Sequence, residues 1–178
     1  MRLSFATSNE MKVKEAQEIL GFPIEICPLE IPEIQSLDIE EVARDKVQKA
    51  YEIVGIPVFA DDGGLFFEAW SGFPGPLVKY LLESVGIEGI LRMLEGFEDR
   101  RALAKGVIAY CDASGVRIFT GEVRGLIPPS PRGERWGWDP IFVPEGQSKT
   151  YAEMSFEEKN RISHRRKSLE KFRTFLAS

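Results

Sequence analysis

The chain has 178 residues, 43% hydrophobic and 29% charged, which is the composition of an ordinary globular protein that can bury a core. Its 23 Lys and Arg against 28 Asp and Glu leave a net charge of −5, which argues against general binding to nucleic acid or to a membrane surface. Cys27 and Cys111 match no metal-binding spacing, and there is neither a signal-peptide pattern nor an apolar run of about 18 residues. We therefore expect a reduced, cytoplasmic protein with a single domain over residues 1–178.

The N-terminal segment predicts a strand followed by a helix. Residues 2–7 form the strand, and an apolar helical spacing predicts the helix from Lys12 to Leu20. The join between them consists of Thr7, Ser8, Asn9, Glu10, Met11 and Lys12. Its small polar residues can cap the helix, and the free N–H groups of the first turn can meet a phosphate together with the lysine. A capped helix without a ligand explains the same residues, and the glycines of a P-loop are missing.

A second helix follows a short strand at residues 24–26 and a loop that contains prolines and Glu33. Asp38 and Glu41 predict a capping box at the start of this helix, which ends near Gly55. Lys46 lies within its apolar face. A lysine at such a position either extends past the edge of the core or reaches into a site.

The segment Val58–Phe67 carries two adjacent carboxylates, Asp61 and Asp62, and two glycines between two apolar runs. Because successive side chains of a strand point to opposite faces, one face cannot bury both acids, and we expect the first strand to end at this pair. Gly63 and Gly64 would let the backbone turn or approach a ligand closely. Paired carboxylates at a strand end suit a divalent cation, a water molecule to be deprotonated, or both. An ordinary hairpin turn is the alternative.

The middle of the chain predicts two short helices and a hairpin. A rigid turn rich in glycine and proline at residues 71–76 precedes the helices, which cover residues 77–96. Lys79 lies in the first helical turn, where a purely structural lysine gains nothing from the helix dipole. Strands at residues 102–111 and 116–124 flank a hairpin turn.

A long loop ends in Trp136-Gly137-Trp138-Asp139-Pro140, and a short strand at residues 141–143 follows it. The two tryptophans either fill the core or stack on a flat heteroaromatic ring whose polar edge the aspartate reads. Further on, Lys159, His164 and Arg165 form a basic cluster around the start of the last helix. This cluster is either a solvated face or a site for a polyphosphate or a base edge. Carboxylates, lysines, a capped helix and an aromatic loop are together the parts of a nucleotide site.

These motifs resemble the inosine triphosphate pyrophosphatase family over essentially the whole chain. The N-terminal motifs are Ala6-Thr7-Ser8-Asn9 with Lys12 and Glu15, Pro32-Glu33-Ile34-Gln35, Ala60-Asp61-Asp62-Gly63-Gly64-Leu65 and Gly72-Phe73-Pro74-Gly75-Pro76. The C-terminal motifs are Gly96-Phe97-Glu98-Asp99, Trp136-Gly137-Trp138-Asp139-Pro140, Thr150-Tyr151-Ala152-Glu153-Met154, and Glu158-Lys159-Asn160 through Ser163-His164-Arg165.

The resemblance implies an enzyme that uses Mg²⁺ to cleave non-standard purine nucleoside triphosphates (ITP, dITP and XTP) to the monophosphate and pyrophosphate. It also implies an α/β fold in which helices flank a long mixed central β-sheet and two lobes surround an active-site cleft. The expected partners are the nucleotide substrate and a second copy of the chain in a homodimer, with no nucleic acid and no membrane.

The resemblance also implies a role for each matching residue. Thr7, Ser8, Asn9, Glu10, Met11 and Lys12 would bind phosphates, and Lys46 and Lys79 would face the cleft. Glu33 and Asp62 would hold the metal, Asp62 would also activate water, and Asp61 would support it. The purine would be held by Trp136, Gly137, Trp138 and Asp139, with Lys159, His164 and Arg165 completing base recognition.

Two residues depart from the family pattern. Gly63 stands where most relatives place Ser or Thr, so a backbone N–H would serve the substrate in place of a hydroxyl. Trp136 stands where Phe is usual, which keeps stacking but changes the width of the pocket. The alternatives are a Maf-like pyrophosphatase for other nucleotides and a nucleotide sensor without hydrolysis.

Overall fold

The computed structural model describes residues 3–178, and within them a mixed sheet of seven strands forms the centre of the fold. The strands are β1 (Ser4–Ala6), β2 (Glu25–Cys27), β3 (Val58–Phe67), β4 (Pro74–Gly75), β5 (Arg101–Asp112), β6 (Gly115–Leu126) and β7 (Val143–Pro144). They are arranged in the order β2-β1-β3-β5-β6-β7, and β4 pairs with β3. β1 is parallel to β2 and β3, whereas the other pairs are antiparallel. The expected α/β fold around a long mixed sheet is confirmed.

Helices cover both faces of this sheet. They are α1 (Glu10–Leu20), α2 (Ile39–Val54), α3 (Val78–Met93), α4 (Phe156–Ile162) and α5 (His164–Leu176). α1 and α5 pack on one face, where Phe59 of β3 contacts Phe172, and α2 packs on the opposite face against Val58 and Ala60. Val58, Phe59 and Ala60 thus alternate between the two faces, as expected for a strand that is buried on both sides. No helix within residues 3–178 is long and apolar enough to cross a membrane.

Most predicted elements are present, but some of their bounds and one cap differ from the prediction. Arg2, predicted to begin the first strand, lies outside the described residues. The predicted capping box of α2 is wrong, because Glu41 accepts a hydrogen bond from the hydroxyl of Ser36 at 2.6 Å while Asp38 alone caps the helix. The strand predicted from residue 141 begins only at residue 143, since Ile141 N–H donates to the Trp138 carbonyl and closes a short 3-10 turn.

The expectation that a strand ends at Asp61 and Asp62 is wrong, and so is the hairpin alternative. β3 continues through both acids and both glycines, and it pairs with β5 along its whole length. The two carboxylates point to opposite faces of the sheet, and each meets a cation there. Asp61 contacts Arg165 on the α5 side, and Asp62 contacts Lys46 on the α2 side. A strand can therefore carry two neighbouring acids when both faces supply a partner.

Three glycines lie side by side across the sheet on the α5 face. Gly63 of β3 pairs with Gly106 of β5, which pairs with Gly121 of β6, and we call these three the glycine row. A Cβ on Gly106 would lie 2.9 Å from Cδ2 of His164, and a Cβ on Gly121 would lie 2.5 Å from the backbone nitrogen of Ser168. The start of α5 therefore rests directly on the backbone of the sheet, at a distance that a side chain would prevent.

We expect Gly121→Ala to destabilise the protein by about 1–3 kcal/mol, because the added methyl group would collide with backbone atoms of α5 that cannot move independently. Gly63→Ala is the matched control, since a Cβ there would lie 3.8 Å from its nearest neighbour, at an ordinary contact distance. Urea unfolding of both variants and the wild type measures the difference. Equal midpoints for the two variants would contradict the close docking of α5.

Candidate active site

The carboxyl end of β1 lies at a point where the helices that connect the strands change from one face of the sheet to the other. α1 leaves β1 over one face, whereas α2 enters β3 from the other face. Such a switch point leaves a crevice beyond the strand ends, which is the usual place for a ligand in an open α/β sheet. β1 pairs with β3 only as far as Phe59, and β4 begins its pairing at Leu65. Within residues 3–178, the edge of β3 at residues 60–64 thus faces no strand, and we call it the β3 gap.

The start of α1 lies beside the β3 gap. Asn9 caps the helix by accepting hydrogen bonds from the N–H groups of Met11 and Lys12, and its own N–H donates to the Thr7 hydroxyl. Two of the free N–H groups predicted to meet a phosphate therefore already have a partner. Lys12 turns back toward β3, where Nζ donates to the Asp61 carbonyl at 2.8 Å. Ser8, Glu10 and Met11 are exposed to solvent.

On the α5 face of β3, Asp61 belongs to a buried network of charges. Arg165 donates from Nε to Asp61 and from Nη1 to Glu15, both at 2.6 Å, and Lys12 Nζ lies 3.7 Å from the Asp61 carboxylate. Burial acts to raise the pKa of Asp61, but the charges of Arg165 and Lys12 outweigh it and lower that pKa to about 2. Burial also acts to lower the pKa of Arg165, but the charges of Asp61 and Glu15 outweigh it and raise that pKa. Asp61 and Arg165 therefore hold each other in their charged forms.

On the α2 face of β3, Lys46 joins two carboxylates. Its Nζ lies 2.6 Å from Oε1 of Glu33 and 3.1 Å from Oδ1 of Asp62. Burial acts to lower the pKa of Lys46, but the charges of Asp62 and Glu33 outweigh it and raise that pKa. Partial burial acts to raise the pKa of Glu33, but the hydrogen bond from Lys46 outweighs it and lowers that pKa. Lys46 thus contacts both carboxylates predicted to hold the metal, and its role in a site stays a prediction.

The pair Glu33 and Asp62 has the donor chemistry for Mg²⁺. Both supply carboxylate oxygens, and Asp62 Oδ2 is buried and has no hydrogen-bond partner among residues 3–178. The same part of the chain contains no group of three or more His, Cys, Asp and Glu side chains that could enclose a metal. Mg²⁺ commonly binds through one or two carboxylates and completes its shell with water and substrate phosphates. These residues therefore fit that ion.

The aromatic loop separates its two tryptophans. Trp138 packs edge-on against Phe142 and lies with its ring 5.3 Å from that of His164, whereas Trp136 is 60% exposed. Beside them, the buried ammonium of Lys159 donates to Asp139 at 2.5 Å. Core filling thus applies to Trp138, and only Trp136 presents an open ring. Gly137 between them has a φ of 72°, which favours glycine.

The other predicted residues lie at different distances from this centre. His164 is buried with its Nε2 beside Gly63, and burial together with the charges of Arg165 and Lys159 lowers its pKa well below the ordinary value. The side chain of Lys79 is 71% exposed and lies 4.0 Å from Glu83, so Lys79 is not brought into contact with the others. The sequence reasoning assigned no role to Glu15. The signal that could have pointed to Glu15 is its position in α1, one turn after Lys12 and next to the apolar stripe, where the structure shows it buried.

Fold and site together define an α/β protein in which carboxylates and lysines meet on both faces of β3, beside the β3 gap. The model of the Ham1 family matches residues 3–175, and the chain belongs to this family.

Relatives of known name and structure extend over almost the whole chain. A dITP/XTP pyrophosphatase of Methanopyrus kandleri is 48% identical over 97% of this chain and 94% of its own length. An inosine triphosphate pyrophosphatase of Aspergillus fumigatus is 44% identical over 99% of this chain and 95% of its own length. The solved structure of the Staphylococcus aureus Ham1 protein superimposes with a TM-score of 0.87 at 30% identity and covers 99% of this chain and 98% of that one.

The lowered pKa of Asp61 predicts a particular loss of stability in acid. Because this pKa is about 2 in the folded protein and 3.8 is its ordinary value, the carboxylate stabilises the fold above about pH 4, and this contribution is lost as the pH falls toward 2. We expect the wild type to lose about 2 kcal/mol more unfolding free energy over this interval than Asp61→Asn. Urea unfolding at several pH values measures both profiles, and parallel profiles would contradict the charge network.

Proposed function

We propose that this protein hydrolyses non-standard purine nucleoside triphosphates to the nucleoside monophosphate and pyrophosphate, with ITP, dITP and XTP as substrates and Mg²⁺ as cofactor. The observation that carries this proposal is the cluster of Asp62, Lys46 and Glu33 on one side of the β3 gap with Lys12 on the other. Cations on both sides suit a triphosphate, and an unpartnered carboxylate oxygen suits a water molecule or a metal. The names of the curated relatives support the substrate class.

In the proposed reaction, Asp62 accepts a proton from a water molecule whose oxygen attacks the α-phosphorus. The bond from that phosphorus to the bridging oxygen breaks, and its electron pair leaves with pyrophosphate. Lys12 and Lys46 neutralise charge on the phosphates, and the backbone of residues 7–12 positions them. Mg²⁺, held by Glu33 and Asp62, would stabilise negative charge on the leaving pyrophosphate. Asp61 supports Asp62 from the opposite face of β3, where Arg165, itself paired with Glu15, holds it.

The purine is proposed to lie between the exposed ring of Trp136 and the buried pair of Asp139 and Lys159. Stacking attracts every base, so it cannot by itself reject ATP. The ammonium of Lys159 is only a donor, and it would pair with a keto oxygen but leave an amino group without a partner. Gly137, Trp138, His164 and the N–H of Gly63 complete this pocket, and Arg165 contributes by holding Asp61 in place.

The remaining expectations stay predictions. Lys79 is proposed to approach the phosphates only when a substrate is present, since its side chain is free to move on the surface of α3. A homodimer, a cytoplasmic location, two lobes around a cleft and a single domain over residues 1–178 are likewise proposed from the family resemblance and the composition.

The reaction is tested by incubating the purified protein with Mg²⁺ and ITP, dITP, XTP, ATP or dTTP and assaying both pyrophosphate and orthophosphate. We expect pyrophosphate from the first three substrates and much slower release from the last two. A chelator should stop the reaction, and added Mg²⁺ should restore it. Release of orthophosphate from ITP would overturn the proposed cleavage at the α-phosphorus, and bound but intact ITP would indicate a sensor.

Asp62→Asn should lower kcat for ITP by about 100-fold or more, because an amide cannot accept the proton of the attacking water. The variant should still bind ITP, which calorimetry measures directly. Asp45→Asn is the control, since it removes a carboxylate from the surface of α2, where Asp45 pairs with Lys49. Unchanged turnover in Asp62→Asn would remove this residue from the role of base.

A further inference from the structure

His164 lies where the aromatic loop meets the strand that carries the carboxylates. Its ring centroid is 5.3 Å from that of Trp138 and 6.0 Å from that of Tyr151. Its Nε2 atom faces Gly63, where a Cβ would be only 3.8 Å away. The imidazole therefore borders the proposed base pocket and the backbone of β3 at Gly63, whereas the carboxylate of the preceding Asp62 points to the opposite face of the sheet.

The two ring nitrogens of His164 lack the partners that usually orient a histidine. Nδ1 is buried and has no hydrogen-bond partner among residues 3–178. Nε2 faces the space above Gly63, which has no side chain, and none of the side-chain hydrogen bonds within residues 3–178 involves it. Its Cδ2 atom rests on Gly106 of the glycine row, which holds the ring in place without fixing its protons.

A neutral imidazole has one nitrogen that donates and one that accepts, and the partner of either nitrogen decides which is which. Burial and the charges of Arg165 and Lys159 lower the pKa of His164, so the ring is neutral at neutral pH. In most proteins a carbonyl or carboxylate then selects one tautomer. Here both tautomers suit the surroundings that the protein supplies.

We propose that Gly63 is a specificity-determining residue, because it leaves Nε2 of His164 without a protein partner and thereby lets the bound base select the tautomer. The ring then donates to a keto oxygen or accepts from an N–H group, whereas Lys159 can only donate. His164 is the adjustable contact of the base pocket, and Lys159 is the fixed one. This inference rests on the proposed function, since it takes the ligand to be a purine nucleotide.

The chain suits a direct test, because His164 is its only histidine. In protein labelled with ¹⁵N, the shifts of the two ring nitrogens report which of them carries the proton. We expect intermediate shifts for both nitrogens in the free wild type, as for a mixture of tautomers. Saturating IMP should move the ring to the form with the proton on Nε2, which donates to the keto oxygen. A single tautomer in the free protein, or a ring that does not respond to bound IMP, would overturn the proposal.

Gly63→Ser and Gly63→Ala form the matched pair. Both side chains fit at ordinary contact distance, and the φ of Gly63 lies outside the left-handed region, so neither change strains β3. The serine hydroxyl should bond to Nε2 and fix one tautomer in the free protein, whereas the alanine variant should keep the mixture. The ratio of kcat/KM for ITP to that for ATP should differ between the two variants by about threefold to tenfold, as for one hydrogen bond. Equal ratios would remove Gly63 from the determination of specificity.

Failure of this inference is distinguishable from failure of the proposed function. If the wild type releases no pyrophosphate from ITP and IMP shifts no resonance, the proposed function fails. The free-state spectra of the wild type and the two variants still decide whether Gly63 leaves the tautomer open. If pyrophosphate is released and IMP binds while the tautomer stays fixed, only the role of Gly63 and His164 is overturned.

Discussion

The close contact between the start of α5 and the backbone of the sheet is the constraint on which the site depends. Gly106 and Gly121 make room for this contact, and Gly63 extends the same row to β3. Because α5 begins there, His164 reaches the edge of the aromatic loop and Arg165 reaches Asp61. A buried carboxylate without such a cation would cost several kcal/mol, so the helix contact also makes the charge on β3 tolerable.

The two faces of β3 give its neighbouring acids different surroundings. Asp61 is sealed among Arg165, Lys12 and α1, and these charges lower its pKa to about 2, which suits a group that stays ionised and holds its neighbours. Asp62 lies on the α2 face, where one oxygen contacts Lys46 and the other has no partner among the described residues. An unsatisfied buried oxygen is costly, and it is retained most readily where a ligand completes it. Asp61 Oδ1 likewise has no hydrogen-bond partner among the described residues, so what distinguishes the two carboxylates is the cation on each face, Arg165 for Asp61 and Lys46 for Asp62.

Much of the fold could be predicted because its signals are local. Helical spacing, the cap at Asp38 and the hairpin between β5 and β6 each depend on a few neighbouring residues. So does the division of residues 77–96 into two helices, which the structure shows as non-helical backbone at Gly86 within α3. The continuity of β3 through Asp61 and Asp62 could not be predicted in this way, because the cations that satisfy them come from Lys46 and Arg165, distant in the chain. The separation of Trp136 from Trp138 likewise depends on the packing of Trp138 against Phe142. The exposure of Lys79 depends on the position of α3.

The sequence by itself determined the class of fold, the carboxylates, lysines and aromatic residues of the site, and the family to which their order belongs. These properties follow from residue type and spacing, which the sequence alone provides. Only the tertiary structure decided which groups face one another. It placed Lys46 between Glu33 and Asp62, paired Glu15 with Arg165, and aligned glycines from three separate strands beneath His164. The physical reason is that these contacts join separate elements of the fold, and for the strand positions among them, Asp62 and the three glycines, a shift of register by one residue would turn them to the other face of the sheet.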